Sequence, residues 1–413
     1  MNAPALSYFP NFVGDMYHLQ DPVVIKALFD HFRGSKQQGL FQPTSSIGKF
    51  LEILQEIYPH LQFSDDDVML SCSEEKSHEY RSRLFRFMKP SYLEQHQPMI
   101  EQQAISMLKE WAEQTSRQGS VDLVETNFFS ASVIAKIAFG SLPNQAEVAR
   151  AVYFINQYMF LKQVGKPSDA KEREYQAALE VFRTAIDTAL RNDPPLFSDS
   201  NSPSSEPEKK AMAFLLFFAG QEATGFLAAQ LLLHLAQNSS LQQRLRLLLQ
   251  QNDLLYGSEI EKFIYHMMAE RAPAYGLARR VADREGSTDL CLEYILDGEI
   301  EKRKFIFPRG SRLVARMMDA SHRVLVQRQP TADETAPLNS SLHPALSPDQ
   351  WSGFGSGKHL CPGRQLALRE VKTLLRFALQ SYQLTTESEQ RPAVVGHVTL
   401  QFAKPVFIQV RPL

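Results

Sequence analysis

Cysteine is scarce in this chain: there are three in 413 residues, Cys72, Cys291 and Cys361, far apart from one another. That spacing excludes a disulfide framework and a CxxC zinc pattern, and it points to a reducing compartment. A surplus of either charge is lacking too. With 44 basic and 46 acidic side chains the formal charge is −2, which gives no overall attraction to nucleic acid or to an anionic membrane. The first residues, MNAPALSYFPNF, lack the basic-then-apolar order of a secretory signal. The most apolar run, AMAFLLFFAG at 211–220, meets Gln221 and Glu222 too soon to cross a bilayer and reads as a buried core helix. No internal repeat is found. These absences predict a cytoplasmic globular protein, with neither nucleic acid nor membrane as partner, folded as a single domain over 1–413.

What is present is mainly helical period. Ile100, Ala104, Met107 and Trp111 fall on one stripe of a helix at 98–112, and 172–190 behaves in the same way. A Pro- and Ser-rich loop at 193–207 ends in a capping box, Ser205 to Glu208, that opens a helix reaching about Gln237. Roughly thirty residues at about 1.5 Å each give a helix long enough to cross a domain. Strand signals gather near 275–315, and VTLQF (398–402) with VFIQV (406–410) reads as a hairpin turned at Lys404-Pro405. The expected class is mainly α, a helical domain with small β-sheets and one long central helix.

The chemistry concentrates in FGSGKHLCPGRQLALRE, 354–370. Pro362 suits the first position of a helix. Gly355, Gly357 and Gly363 let backbone approach something flat. A thiolate at Cys361 would meet the N–H groups of the first turn, which suits a nucleophile or a metal ligand. The nucleophile needs a base, and His359 has no acidic orienter beside it in sequence. In the long helix, Ala219, Gly220 and Ala223 make a small-residue patch, and Glu222 is an acid in apolar surroundings, a candidate for proton delivery.

The spacing Phe354-Gly355-x-Gly357-x-His359-x-Cys361-x-Gly363, followed by Leu366-Ala367 and Glu370, resembles the haem-ligand loop of the cytochrome P-450 family. AGQEAT, Ala219 to Thr224, resembles that family's oxygen-binding groove. The resemblance implies the P-450 fold, with the long helix lying over haem b. Cys361 would be the axial ligand to the iron, with Phe354 shielding the sulfur and His359 facing a propionate. His78 in HEYRSRLFRF would meet a propionate, and Arg279 or Arg280 in GLARRV the other. The implied activity is a bacterial-type haem-thiolate monooxygenase of specialised metabolism, acting on a small molecule that is free or presented by a carrier protein. Electrons would come from a ferredoxin docked on a basic face made by Lys358, Arg364, Lys372, Arg81, Arg83, Arg86 and Lys89. The pocket would be lined by a loop at 36–70 and a helix pair at 150–185, with Tyr153, Phe154, Tyr158 and Phe160 as aromatic candidates.

Departures from the family pattern leave room for an alternative, a catalytically divergent haem-binding protein acting as scaffold, sensor or non-redox catalyst. The groove threonine is replaced by Ala223, and Thr224 stands about 100° further round the helix. The E-x-x-R charges are missing at His266–Ala269, so Met267 and Met268 are expected to pack that region. Ser82 stands where an arginine is expected, leaving Arg81 or Arg83 to substitute.

Overall fold

Helices dominate the computed structural model, which describes residues 6–9, 16–19, 23–25, 27–28, 45–69, 72, 74–164, 167–197, 204–274, 277–280, 289–294, 303–309, 311–315, 353–355, 360–388, 391–396 and 399–413. Helix α1 is Ser45–Ile57, α2 Glu74–Phe87, α3 Pro90–Gln95, α4 Gln97–Gln118 and α5 Thr126–Phe139. The pair α6 (Gln145–Val164) and α7 (Asp169–Leu190) precedes the central α8, Glu206–Gln237. Then come α9 (Ser239–Gln251), α10 (Asp253–Glu270) and α11 (Arg364–Ser381).

The central helix starts where its sequence requires. Ser205 Oγ accepts from the Glu208 N–H and the Glu208 carboxylate accepts from the Ser205 N–H, so two otherwise orphaned donors are satisfied. α8 joins two cores. Its first half, from Ala211 to Phe217, packs among the aromatic side chains of α1, α6 and α7, including Phe50, Tyr158, Tyr175 and Phe182. Its second half, from Leu227 to Ala236, packs into a Leu-rich core with α4, α10 and α11. Truncating a ring such as Phe214 or Phe217, both fully buried, would cost about 3–5 kcal/mol.

Two sequence expectations need correction. The segment 36–70 is not all loop: Phe50, Ile53, Leu54 and Ile57 are buried at helical spacing, and they make α1. The C-terminal hairpin does not form either. Strand β10 (Leu400–Phe402) pairs antiparallel with β9 (Val394–Gly396), whereas β11 (Phe407–Pro412) lies between β3 (Val121–Asp122) and β8 (Tyr382–Thr385). Alternation showed two strands but not which partners they would find. The 275–315 region holds β4 (Leu277–Arg280), β5 (Leu290–Tyr294), β6 (Arg303–Phe307) and β7 (Arg312–Ala315). β4 and β7 join β1 (Leu6–Phe9) and β2 (Met16–Leu19) in one sheet of order β1-β2-β7-β4, while β5 pairs with β6. Met267 and Met268 are buried in the Leu-rich core as expected.

Candidate active site

Cys361 lies just ahead of α11. Its N–H donates to the Phe354 carbonyl over 2.8 Å, which folds the loop back on itself, and Gly355 takes the left-handed φ of 73°. Burial pushes the Cys361 thiol up, while the N–H groups of Gly363 and Arg364 and the guanidinium charges of Arg81 and Arg364 oppose that shift. These donors would favour a thiolate. At Gly363 a Cβ would reach to 3.9 Å from the sulfur, an ordinary contact.

On helix α2, His78 is exposed. Arg81 instead turns inward and donates from Nη1 to the Leu360 carbonyl, 2.8 Å away and one residue before the cysteine. Ser77, one turn earlier, is buried, so the inward face of α2 is 77/81 and not 78/82. Among the described residues, the Nε atoms of Arg81 and Arg364 are buried without a hydrogen-bond partner. Arg364 places Nη2 at 2.9 Å from the Tyr265 hydroxyl and lies over the half-buried Phe354 ring. His359 and Lys358 lie outside the described residues, as does the side chain of Arg279, whose backbone is in β4.

On α8 the small residues stand out by exposure. From 211 to 236 every residue is buried or half-buried except Ala219. Half-buried Leu216 and Ala223 share its face, at offsets of three and four residues, whereas Gly220 turns toward Ile134 of α5. A small apolar cavity lies where α8, α2, α5 and α11 converge, lined by Leu216, Leu84, Ile134 and Leu366 among others. Thr224 is buried, on a different side from Ala223.

Glu222, three residues beyond Ala219, is buried at the edge of that face. Its Oε2 accepts from the Thr399 hydroxyl, and Thr399 is held in place because Ala274 bridges to it and Leu400 N–H donates to the Pro273 carbonyl over 2.7 Å. Burial pushes the Glu222 carboxyl up to about 6, against the pull of the Thr399 hydroxyl and the neighbouring Asn156 amide. Asn156 is itself buried beside Glu222, and among the described residues neither its amide atoms nor Glu222 Oε1 reaches a partner in good hydrogen-bond geometry. Beside them, Tyr153 Oη donates to Gln401 Oε1 over 3.2 Å, and Gln401 and Gln157 exchange amide hydrogen bonds. Sequence reasoning did not find Asn156, Gln157, Thr399 or Gln401, since nothing local couples them to Glu222. Of the aromatic candidates, Tyr153 and Phe154 are half-buried and Tyr158 is core, stacked on Tyr175 at 4.2 Å. The Phe160 side chain lies outside the described residues.

The expected basic face is also thinner than its sequence suggests. Arg81 faces inward, Arg83 is buried against Glu79 and Ser204, and Lys372 pairs with Glu261 at 2.6 Å. Arg86 and Lys89 are exposed.

Fold and cysteine loop together resemble those of haem-thiolate proteins. The chain aligns with the crystal structure of a six-coordinated cytochrome P450 from Thermus thermophilus at a TM-score of 0.69 and 17% identity, covering 99% of this chain and 95% of that one. This is the cytochrome P450 fold. Residues 337–407 match the Cytochrome P450 family model. Cytochrome P450 monooxygenase TRI1 of Fusarium sporotrichioides is 33% identical over 91 residues, which are 22% of this chain and 16% of TRI1. Cytochrome P450 monooxygenase adrA of Penicillium rubens is 32% identical over 104 residues, 22% of this chain and 19% of adrA. The matched segments thus span under a fifth of those relatives. These findings support the cytochrome P450 family, whose cofactor is haem on a cysteine thiolate.

The residues fit such a group. A cysteine at a helix start, spare guanidinium N–H groups beside it, and a small-residue face on an otherwise buried helix suit a flat cofactor carrying carboxylates. The apolar stretch of α8 is long enough to cross a membrane by composition, but 72% of its most apolar window is buried inside the protein.

Proposed function

We propose that this chain is a haem-thiolate monooxygenase that oxidises a small organic molecule carrying a hydroxyl or phenol. The observation that carries the reading is the face of α8 at Leu216, Ala219 and Ala223, where Ala219 alone is exposed between 211 and 236, on a chain whose sequence carries the complete cysteine loop. Cys361 would hold haem b, with Arg81 rather than His78 meeting a propionate from α2, and Arg279 and His359 proposed for the remaining carboxylate contacts. Bound haem supplies activation of O₂ and transfer of one oxygen atom to the substrate.

The chain's own part is to position and to move protons. Ala219 and Ala223 keep side-chain bulk out of the face, and Gly220 lets α8 lie close to α5. Glu222, half-protonated near pH 6, can take and release a proton in the range where enzymes work, and Thr399 fixes one of its oxygens. Ala223 has no proton to give, and Thr224 is buried on another side of the helix. A substrate hydroxyl therefore completes the relay. The polar cluster of Tyr153, Asn156, Gln157 and Gln401 is the proposed recognition site for that group, with the substrate free or on a carrier protein. A ferredoxin-type donor would dock near Arg86 and Lys89, and the cytoplasm is the proposed location.

Ala223 and the uncharged His266–Ala269 segment favour a second reading, a haem protein without oxygenase activity. Product analysis with NAD(P)H and a surrogate ferredoxin separates the two. The first reading expects a product one oxygen heavier from a hydroxylated substrate. An analogue lacking the hydroxyl should bind but release peroxide, and Ala223→Thr should rescue it. Binding of haem with no oxidised product from any ligand that shifts its spectrum would support the second reading.

A further inference from the structure

Glu370 is a buried acid that the proposed chemistry leaves unused. It stands on α11, 1% exposed, with Oε2 at 2.7 Å from Ser130 Oγ on α5. The same hydroxyl lies 3.1 Å from the Gly220 carbonyl oxygen. One turn earlier on α5, Thr126 Oγ1 donates to the Gly225 carbonyl at 2.8 Å and is 2.7 Å from the Leu123 carbonyl. Two hydroxyls on one face of α5 thus grip α8 at Gly220 and Gly225, either side of Glu222, Ala223 and Thr224. Glycine permits the approach: a Cβ at Gly225 would lie 2.7 Å from Asn127 Cα, and one at Gly220 would lie 2.4 Å from Ile134 Cδ1.

The protons can be counted. A serine hydroxyl carries one, and a carbonyl only accepts. Were Glu370 ionised, it too could only accept. Ser130 would then divide one proton between a carbonyl and a buried carboxylate, and no cation pairs with Glu370 among the described residues. Nearby charges are engaged elsewhere: Arg369 with Gln97, Lys372 with Glu261, Arg376 with Asp253 and Glu222 with Thr399. A carboxylate so placed is costly. With its proton kept, Glu370 donates to Ser130, Ser130 donates to Gly220, and each proton serves one bond. Burial without an opposing charge also holds this carboxyl well above the usual range.

We propose that Glu370 is a neutral carboxylic acid that donates to Ser130 and so locks the Gly220 carbonyl, making both of them positioning residues for the groove segment of α8. The claim concerns how the segment is held, and it stands whatever chemistry takes place beside it.

The test uses the full chain with ¹³C-labelled glutamate side chains, as wild type, Glu370→Gln, Glu370→Leu and Ser130→Ala. The wild type should show an infrared carboxylic-acid carbonyl band that disappears in both Glu370 variants and shifts in Ser130→Ala. Hydrogen exchange over 216–226 should stay near wild type in Glu370→Gln, whose amide N–H can still donate. It should quicken about tenfold in Glu370→Leu and Ser130→Ala, the effect of losing one buried hydrogen bond. The absence of a protonated-acid band lost with Glu370 would overturn the proposal. So would Gln proving as disruptive as Leu, or Ser130→Ala leaving band and exchange unchanged. Should Glu370→Leu fail to fold, Ser130→Ala carries the same readouts. None of them needs turnover, so failure here is distinct from failure of the oxygenase reading.

Discussion

The two flanks of the Ala219–Thr224 segment are built differently. Toward α5, the carbonyls of Gly220 and Gly225 each take a hydroxyl hydrogen bond, and the helices touch at glycine. Toward α6 and β10, Gln221 Oε1, Glu222 Oε1 and both amide atoms of Asn156 are buried with no partner in good hydrogen-bond geometry among the described residues. Polar atoms left in that state cost about 1–3 kcal/mol each. One flank is satisfied and close-packed and therefore fixes the helix. The other holds its polar capacity toward the proposed substrate site. A segment that must be rigid on one side and receptive on the other gains from this asymmetry.

The largest expected effect falls on the receptive flank. Glu222→Gln keeps the shape and removes the titrating proton, and turnover of the native substrate should fall about 10²–10⁴-fold. Stopped-flow and product yield would check it. A loss below about threefold would take Glu222 out of the relay.

The packed flank should answer in stability. Gly225→Ala sets a Cβ against Asn127 backbone, and overpacking of this kind costs about 1–3 kcal/mol. Gly220→Ala meets only the tip of Ile134, which can move, and it gains about 1 kcal/mol of helix propensity. Denaturant melts should therefore show Gly225→Ala clearly destabilised and Gly220→Ala near neutral. Equal losses at both positions would mean the close approach is not centred on Gly225.

Glu222 also gives the receptive flank a pH signature. Its carboxyl sits at about 6 when folded against an ordinary 4.5, so the native state binds the proton more tightly than the unfolded chain. The stabilising contribution is fully present below pH 4.5 and is lost as pH rises through 6. The difference amounts to about 2 kcal/mol. Stability-versus-pH curves should show this loss in the wild type and lack it in Glu222→Gln. The smallest effect concerns the surface. Arg86→Glu with Lys89→Glu should slow electron transfer from an acidic donor and flatten its salt dependence, while Lys372→Glu should add little because Lys372 already pairs with Glu261.

The same contrast shows what could be read from sequence. The cysteine loop and the capping box are local, so residue order alone exposed them, as it did the long helix and its small-residue face. Glu222 was legible as an acid among apolar residues. Its partner Thr399 was not, because 177 positions separate them and a bridge at Ala274 creates the contact. Glu370 appeared only as a position in a motif; Ser130, 240 positions away, gives it a role. His78 was placed by resemblance, with Arg81 or Arg83 to stand in for an arginine missing at Ser82; the burial of Ser77 and the reach of Arg81 to Leu360, far off in sequence, favour Arg81. The C-terminal strands were visible as strands, but pairing depends on β3 and β8, which no local pattern announces.

The whole account depends on one sulfur. The reduced CO complex of purified wild-type protein, compared with that of Cys361→Ser, tests it most directly. The account predicts the red-shifted Soret band of a thiolate-ligated haem in the wild type and its loss in the variant. A wild type that binds no haem, or a variant that keeps the red-shifted band, would contradict it.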